Sequence, residues 1–509
     1  MLSILIGHSY FLRFDPKQFE RAKPYPPLAT LQVAALLRQA GHRVALFDAM
    51  LAESTQEYEL QLRAVEPQLV LFYEDNFNFL SKMCLRKMRL AACAMVESAH
   101  RAGARVIVAG SDVSDAPEVY LRAGADAALI GEGLGALSAL LARLDANLRT
   151  PSARLIEGVA GVAALVEGRP VLHALDAHAA DGPPEPGAGP VGKVVALQGA
   201  RAQAAARLEA ATAWELLDVE RYRRAWLGGH GYFSLNMAAS KGCSFRCAWC
   251  AKPIWGNRYQ QRSASAVAAE MAHLKRAFKP DHIWFADDIF GFRADWVLAF
   301  ASAVQAVGGG IPFTIQTRAD LVSEGMAQAL RDAGCREVWI GAESGSQKIL
   351  DAMNKGTTVQ EILTARSRLA AQGIRVGFFI QLGYLDEQLD DLMATRKLID
   401  EARPDDVGVS VAYPLPGTRF HDEVKAQLGD KTRWDDSGDL AMMFQGTYNS
   451  AFYRAVRDLL HLQVEVEKLK LAATADGYRR ARSALQQQWA SLIAGEGQHR
   501  TPLLVAVAA

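Results

Sequence analysis

The stretch Ser240-Lys-Gly-Cys-Ser-Phe-Arg-Cys-Ala-Trp-Cys-Ala-Lys-Pro253 lies near the middle of the chain. It places Cys243, Cys247 and Cys250, half of the 6 cysteines, in one short loop after an apolar, strand-like run. Three thiolates on a loop form a soft ligand set that suits an iron–sulfur cluster, zinc or copper(I). A 4Fe-4S cluster normally takes four cysteines, so a set of three leaves one iron open to bind a substrate or cofactor. The loop is therefore predicted to carry redox chemistry on a bound ligand.

Zinc and a disulfide are the alternative interpretations of this loop. A tetrahedral zinc site needs a fourth ligand, and no cysteine or histidine pair lies near the loop to supply it. The other thiols, Cys84, Cys93 and Cys335, are interpreted as core residues. A disulfide is not expected, because the chain shows no secretory signal and is long enough to need no covalent staple.

The spacing Cys-x3-Cys-x2-Cys, with Trp249 just before the last cysteine, resembles the signature of the radical S-adenosylmethionine (SAM) superfamily. The resemblance implies that the three cysteines bind a 4Fe-4S cluster whose open iron chelates the amino and carboxylate groups of SAM. It also implies reductive cleavage of SAM to a 5′-deoxyadenosyl radical, and it places Trp249 next to the cofactor.

Composition limits the other possibilities. The chain has 509 residues, enough for two or three domains with their own cores. Its 56 Lys and Arg balance 56 Asp and Glu, so net charge gives no reason to expect nucleic acid or an anionic membrane as partner. No apolar run is long enough to span a bilayer. Residues 2–6 are predicted to be a first strand rather than part of a signal peptide, and we expect a cytoplasmic protein.

Residues 1–145 alternate short apolar runs with amphipathic helical patterns, which predicts a doubly wound, Rossmann-like α/β domain. Such sheets bind ligands at the carboxyl ends of their strands, where this sequence has polar or glycine-bearing segments. The strands are predicted at residues 2–6, 43–47, 69–73, 105–109 and 127–130.

This region resembles the cobalamin-binding domain that often precedes a radical SAM domain. The resemblance rests on the segments Tyr25-Pro-Pro-Leu-Ala-Thr-Leu-Gln32, Gly41-His-Arg-Val44, Ala109-Gly-Ser111 and Ile130-Gly-Glu-Gly133. The cobalamin contacts that it implies are Gly110, Ser111, Gly131, Glu132 and Gly133.

One expected cobalamin motif is missing. The chain lacks the Asp-x-His-x-x-Gly loop that supplies a histidine to cobalt in methionine-synthase-like domains. We therefore expect no such ligand, and we interpret His8 as a polar residue at a strand end. A doubly wound module that binds another ligand, or none, is the alternative, because fold alone does not fix a ligand.

Residues 146–232 are predicted to be a linker, because residues 181–190 are rich in proline and glycine and cannot hold a helix or a central strand. A small hairpin is predicted over residues 154–171 and a short helix over residues 213–222. Residues 431–509 are helical in pattern, with helices at 451–471 and 477–493 and a short apolar tail at 501–508. These helices are expected to cap the barrel mouth, to help enclose substrate or to form a dimer contact.

Residues 233–430 repeat the alternation of strands and helices six times, which predicts a partial (β/α)6 barrel with its active site at the strand ends. The strands are predicted at 233–238, 282–286, 312–317, 337–340, 376–382 and 407–412. The helices are predicted at 264–278, 294–307, 323–333, 359–372 and 387–402.

Polar residues at these strand ends are the candidate SAM contacts. The resemblance implies an acidic contact to the SAM amino group, for which Asp287 and Asp288 are candidates, and a ribose and carboxylate segment that contains Glu343 and Ser344. Arg318 suits a carboxylate because its guanidinium forms paired hydrogen bonds. Ordinary surface charges or turns are the alternative for each. The complete set is Trp249, Asp287, Asp288, Gln316, Arg318, Glu343, Ser344 and Gln381.

The whole chain resembles a cobalamin-binding radical SAM enzyme with a C-terminal helical region. The resemblance implies methylation of an unactivated carbon of a small molecule, with an external electron donor such as flavodoxin or ferredoxin. An anaerobic oxidative cyclase or hydroxylase, and a non-catalytic cobalamin or redox sensor, are the alternatives. Trp255, Phe290 and Tyr413 are expected at the barrel mouth, where they suggest an apolar or planar substrate.

Overall fold

The computed structural model of the protein describes residues 1–174, 212–250, 254–472 and 474–502. Residues 175–211 of the predicted linker, which include 181–190, lie outside the described residues, as does most of the predicted apolar tail at 501–508. In the part of the chain that is described, no helix combines the length and the apolar character needed to cross a bilayer.

The first sheet has the order β2-β1-β3-β4-β5-β6-β7, and its first five strands are parallel. The apolar strand β1 is buried along its whole length, as expected for a parallel sheet that helices cover on both faces. Its strands are β1 Ser3–Gly7, β2 Arg43–Phe47, β3 Leu69–Tyr73, β4 Arg105–Ala109, β5 Ala127–Leu129, β6 Val162–Val166 and β7 Arg169–His173. The helices of this region are Pro16–Arg21, Leu28–Gln39, Thr55–Val65, Phe79–Lys82, Arg86–Arg101, Ser111–Asp115, Pro117–Arg122, Leu134–Ala146 and Ser152–Ile156.

The first unit extends beyond the predicted boundary at residue 145. The hairpin β6–β7, which the sequence places in the linker, pairs antiparallel with β5 and continues the first sheet. Val162, Ala163 and Ala164 are buried, so hydrophobic burial holds the hairpin against the sheet. The predicted helix at 213–222 is also wrong in its bounds. A short turn at Trp214–Leu216 precedes a helix at Val219–His230, because the backbone at Leu217 is extended.

The second sheet is an open, fully parallel half-barrel with the order β15-β14-β13-β12-β11-β8. All six predicted strands are confirmed. They are β8 Ser234–Met237, β11 His282–Phe285, β12 Phe313–Thr317, β13 Cys335–Glu343, β14 Arg375–Leu382 and β15 Asp406–Val411. The helices are Ala264–Phe278, Ala294–Ala306, Glu324–Ala333, Gln347–Ala352, Val359–Ala371, Leu389–Ala402 and Arg419–Val424.

A short antiparallel pair, β9 Ser240–Gly242 and β10 Tyr259–Gln261, encloses the cysteine loop. The sequence analysis missed this pair, because strands of three residues show no periodicity. The pair brings the two ends of the loop together just beyond the carboxyl end of β8.

The two C-terminal helices, Ser450–Ala472 and Ala475–Ala494, agree closely with the prediction. The first packs along β15, and the second packs against the first. Since β15 is an edge strand, the helix covers one edge of the half-barrel, a common way of protecting an open sheet.

Candidate active site

The cysteine loop is anchored at its middle. Ala248 N donates to Met353 O at 2.8 Å, and Phe420 N donates to Ala248 O at 3.0 Å. Cys243, Cys247 and Cys250 are partly exposed. Among the described residues, no three His, Cys, Asp or Glu side chains meet closely enough to hold a single metal ion. A cluster does not require such a meeting point, because each cysteine binds a different iron, and three thiols on an anchored loop fit that group.

The guanidinium of Arg318 lies next to Cys247. Arg318 Nη1 is 3.8 Å from Cys247 Sγ, and its guanidinium carbon lies 3.7 Å from the centre of the Phe245 ring. The same guanidinium donates to both carboxylate oxygens of Asp320 and to Lys355 O. The predicted paired contact with the SAM carboxylate stays a prediction, because most of this fork already has protein partners.

Glu343 forms a buried ion pair with Lys355. Lys355 Nζ donates to Glu343 Oε1 at 2.7 Å, and both side chains are at most 7% exposed. Burial alone would lower the pKa of Lys355, but the adjacent Glu343 carboxylate raises it above its ordinary value. Ser344 is fully buried in the following turn, where it accepts from Ser346 N. The end of β13 thus carries a buried pair of opposite charges.

The two aspartates after β11 have different surroundings. Asp287 is fully buried and accepts hydrogen bonds from Ala239 N and Ser240 Oγ. Burial raises its pKa to about 7. Gln316 Nε2 donates to Asp287 O at 2.6 Å, so Gln316 fixes this strand end. Asp288 instead forms an ion pair with Lys82 of the first unit.

Two predicted contacts carry buried polar atoms that have no hydrogen-bond partner in the described structure. They are Gln381 Oε1, at the end of β14, and Trp249 Nε1. Trp249 packs against the hydrophobic cluster that contains Tyr384 and Phe420. Buried polar atoms without partners are uncommon and call for an explanation such as a bound ligand. Both atoms therefore suit a cofactor or substrate at the strand ends.

The carboxyl edges of the two sheets face each other across the cysteine loop. Lys241 Nζ, beside that loop, donates to Glu132 Oε1 at 2.8 Å, and Glu132 O accepts from Tyr73 OH at 2.8 Å. Lys82 Nζ pairs with Asp288 and lies 4.8 Å from the centre of the Trp255 ring. These contacts join the strand ends of the first sheet to those of the half-barrel.

The predicted cobalamin contacts lie together at this edge. Ser114 Oγ donates to Gly110 O at 2.8 Å and accepts from Gly131 N at 3.0 Å, which joins the loops after β4 and β5. Gly133 begins the next helix as its N-cap. Ser111 Oγ is buried and has no partner in the described part of the chain. This edge therefore has a polar group, Ser111 Oγ, that no described residue satisfies and that is available to a ligand.

A small cleft opens at the same edge, lined among others by Ser9, Glu74 and Asp112. These residues follow β1, β3 and β4, where successive crossovers run in opposite directions and doubly wound sheets bind ligands. His8 takes no part in the cleft. It is fully buried, and its Nε2 is 3.0 Å from Asp48 Oδ1, which agrees with its interpretation as a polar strand-end residue.

The predicted barrel-mouth aromatics separate into different places. Phe290 is a core residue that packs against Phe285 at 4.8 Å, so its expected place at the mouth is wrong. Trp255 contacts Phe77 of the first unit at 5.3 Å between ring centres.

Sequence analysis missed Lys82, Lys241 and Lys355. A basic residue two positions before the first cysteine was the available signal for Lys241, whereas the other two lie far from any motif.

Residues 237–399 match the profile of the Radical SAM superfamily. The match begins at the last residue of β8, ends in the helix after β14 and includes all three cysteines of the loop. Together with the open parallel sheet and the position of the loop after its first strand, it identifies a radical SAM domain. Residues 237–399 therefore form a radical SAM domain.

Curated relatives match less than half of the chain. An uncharacterised methyltransferase of Pyrococcus horikoshii is 29% identical over 209 residues, which cover 41% of this chain and 44% of the relative. Bacteriochlorophyllide d C-12(1)-methyltransferase of Chlorobaculum tepidum is 29% identical over 219 residues, or 42% of this chain and 47% of the relative. Anaerobic magnesium-protoporphyrin IX monomethyl ester cyclase of Rubrivivax gelatinosus is 26% identical over 225 residues, or 43% and 38%. The chain spans about half the length of these relatives or less.

Solved structures resemble nearly the whole chain. The radical SAM methyltransferase TsrM from Kitasatospora setae, with cobalamin and a 4Fe-4S cluster bound, aligns with a TM-score of 0.64 at 17% identity and covers 83% of this chain and 77% of its own. The cobalamin-dependent SAM radical enzyme OxsB aligns with a TM-score of 0.67 at 15% identity and covers 97% and 72%. The chain therefore has the fold of these cobalamin-dependent enzymes: a Rossmann-like sheet, a radical SAM half-barrel and a helical C-terminal region.

Proposed function

We propose that this protein is a cobalamin-dependent radical SAM enzyme that methylates an unactivated carbon of a small-molecule substrate. The observation that carries the proposal is the meeting of two carboxyl edges. The cysteine loop of the half-barrel faces the ligand-binding edge of the Rossmann-like sheet, and Lys241–Glu132 and Lys82–Asp288 connect the two. A substrate between the edges is within reach of a cofactor on either side.

The chain's residues have distinct roles in this proposal. Cys243, Cys247 and Cys250 hold the cluster, and Arg318 and Lys355 place positive charge next to Cys247. Gln381 and Trp249 offer unpartnered polar atoms to SAM or substrate at the strand ends. When bound, the cluster would supply the electron that cleaves SAM, and cobalamin would supply the methyl group.

The first sheet would bind cobalamin at its carboxyl edge. Gly110, Ser111, Gly131, Glu132 and Gly133 lie there, in the loops that follow β4 and β5. The pair Lys241–Glu132 would close one side of the space between the domains and restrict entry of water. Excluding water protects a reactive radical from side reactions.

The test is an anaerobic assay of protein reconstituted with iron, sulfide and cobalamin, to which SAM and dithionite are added. We expect both 5′-deoxyadenosine and S-adenosylhomocysteine, with cobalamin retained by the protein. Cys247→Ser should lose cluster iron and both nucleosides together. Cys93→Ser is the matched control, because Cys93 lies on the helix Arg86–Arg101, away from the loop, and should keep both. A Cys247→Ser protein that kept a full cluster and full cleavage would contradict the assignment.

The cyclase relative supports a second candidate, an oxidative cyclase or hydroxylase. That enzyme would form 5′-deoxyadenosine and an oxidised, unmethylated product, without S-adenosylhomocysteine. A sensor would bind both ligands and form neither nucleoside. The three outcomes are separated by the same assay.

A further inference from the structure

One face of the half-barrel sheet is partly exposed along β13, β14 and β15, whereas Tyr25 and Pro26 of the first unit cover it at β8 and β11. Along β13, Glu337, Trp339 and Gly341 are partly exposed, whereas Val338, Ile340 and Ala342 are buried against the helices. Because side chains alternate between the two faces of a strand, the exposed set shares the face that is turned away from the helices. The neighbouring strands follow the same pattern at Phe379 in β14 and at Gly408 and Ser410 in β15. This face lines the interior of the half-barrel.

A flat pair of aromatic rings lies on this face. The Trp339 and Phe379 rings are stacked, with their centres 4.8 Å apart and their planes 26° from parallel. The indole is fixed in its plane because Trp339 Nε1 donates to Glu337 Oε2 at 3.2 Å. A partly exposed stacked pair offers a planar apolar surface to the interior. We call Trp339 and Phe379 the aromatic platform.

Two glycines allow the platform to lie flat. Gly377 is the register partner of Trp339, and a Cβ on Gly377 would stand 2.6 Å from indole carbons. A Cβ on Gly408 would stand 3.1 Å from Phe379 Cδ1 and 3.4 Å from Trp339 Cζ3. Side chains at either position would lift the rings off the sheet. The platform on β13 and β14 therefore also depends on the glycine of the neighbouring strand, β15.

A hydrogen-bond acceptor lies beyond the platform in the direction of the cysteine loop. Gln381 follows Phe379 by two residues on the same face, about 7 Å further along β14. Gln381 is 5% exposed, and its Oε1 has no hydrogen-bond partner among the residues that the structure describes. At the end of β13, Glu343 lies beyond Trp339 in the same direction and forms an ion pair with Lys355. Gln381 thus lies on the same face as the platform, nearer to the carboxyl end of the sheet where the cysteine loop follows β8.

Ordinary core packing does not account for this pair. The other large aromatic group of the half-barrel, Phe285, Phe290, Phe300 and Phe313, is fully buried on the helix side of the sheet. Trp339 and Phe379 lie on the opposite face and keep part of their surface exposed. A flat apolar surface with a single unsatisfied acceptor at its edge has the composition of a ligand site.

We propose that Trp339 and Phe379 form the floor of the substrate site and that this site takes a planar aromatic molecule whose O–H or N–H group donates to Gln381 Oε1. The inference deepens the proposed function, on which it rests, by naming the substrate class. The planar ring stacks on the platform, and the donor group turns one edge of the ring toward Gln381. The carbon next to that edge then lies closest to the cysteine loop.

Binding of three related probes tests the proposal. The probes are 2-naphthol, which is planar and has an O–H group, 2-methoxynaphthalene, which is planar without that donor, and 2-decalol, which has the donor on a skeleton that is not planar. Affinities are measured by equilibrium dialysis on full-length, cluster-loaded protein without SAM or reductant. We expect 2-naphthol to bind most tightly, and the other two about fivefold more weakly.

Substitutions test the two proposed contacts separately: stacking of the ring on the platform and the hydrogen bond to Gln381. Trp339→Leu and Phe379→Leu should each weaken 2-naphthol about fivefold, and in Gln381→Leu the difference between 2-naphthol and 2-methoxynaphthalene should disappear. Trp296→Leu is the matched control. Trp296 also stacks on a phenylalanine, Phe300, at 5.4 Å, but it lies on the helix side and should leave binding unchanged. Two platform variants are included so that poor folding of one does not decide the result.

Failure of this inference is distinguishable from failure of the proposed function. If wild-type protein does not bind 2-naphthol, or if the platform variants bind it as tightly as Trp296→Leu does, the platform is not a ligand site. Neither result affects the formation of 5′-deoxyadenosine from SAM, which is measured separately. Conversely, binding with the expected variant pattern supports the site even where cleavage fails.

Discussion

Replacing Gly242 by alanine should loosen the hairpin that carries the cysteine loop. Gly242 has a φ of +74°, and a Cβ at this position would stand 2.2 Å from the backbone oxygen of Arg258 on the opposite side of the hairpin. A left-handed backbone costs an alanine about 1 kcal/mol. Relieving a clash with a backbone atom adds about 1–3 kcal/mol, because β9 and β10 must move apart. The expected total is about 2–4 kcal/mol.

Gly256→Ala separates the two contributions. Gly256 lies in the same loop with a φ of +59°, but a Cβ there would meet no described atom within 4 Å. Gly256→Ala should therefore cost only the free energy of holding an alanine in a left-handed backbone, about 1 kcal/mol. The difference between the two variants measures the clash.

Hydrogen exchange of a peptide that contains residues 259–261 is the suitable assay, because it reports local opening without assuming that the whole chain unfolds in one step. At tenfold per 1.4 kcal/mol, exchange should accelerate about 30- to 1000-fold in Gly242→Ala and about fivefold in Gly256→Ala. Cluster iron should fall in the first variant only. Equal acceleration in the two variants would refute the steric argument.

Two further predictions concern charged groups. A double-mutant cycle of Lys241→Met and Glu132→Gln should give a coupling free energy of about 1 kcal/mol, because the lysine is 9% exposed and the glutamate 30%. Hydrogen exchange of a peptide that covers residues 127–137 measures this coupling. Additive effects of the two substitutions would show that the ion pair does not stabilise the contact between the domains. Burial raises the pKa of Glu387 from 4.5 to about 8. The stability that this proton provides is full below pH 4.5 and is lost as the pH rises to about 8. Glu387→Gln, which can keep the bond from Gly383 N, should raise the melting temperature over wild type above pH 8 and have little effect near pH 5. Glu401→Gln, at an exposed helix position, should do neither, and a pH-independent effect of Glu387→Gln would contradict the reasoning.

The inner strands could be predicted where burial on two faces leaves a continuous apolar run, and β3 and β4 agree with the prediction residue for residue. β2 also agrees, although it is an edge strand that is only partly buried. β13 extends three residues beyond its predicted end at Ile340. A register shift between Gly341 and Glu343, with Glu343 at a φ of +60°, continues the strand where the polar sequence suggests a loop.

The sequence predicts where the residues of the candidate site lie in the sheet, but not which side chains contact them. Parallel strands place their carboxyl ends at one edge, so Asp287, Gln316, Glu343 and Gln381 were predicted to lie together. Their partners were not predictable, because those partners come from distant parts of the chain. Lys82 is 206 residues from Asp288, and Lys241 is 109 residues from Glu132. No local pattern marks such a pair before the two sheets are docked.

The segment that contains Arg433 and Trp434 also sets the spacing between the two sheet edges, although it carries none of the cofactor motifs. Arg433 Nε donates to Asp112 Oδ1 at 3.2 Å, Arg86 N donates to Trp434 O at 2.8 Å, and the Trp434 ring lies 4.4 Å from that of Tyr413. Because Asp112 follows β4 and Tyr413 follows β15, this segment ties the carboxyl end of one sheet to that of the other. A cofactor at either edge is thus held at a distance that its own motif does not determine. The cysteine loop can therefore indicate the kind of chemistry, whereas the substrate carbon that reacts depends on how far apart these contacts hold the two edges.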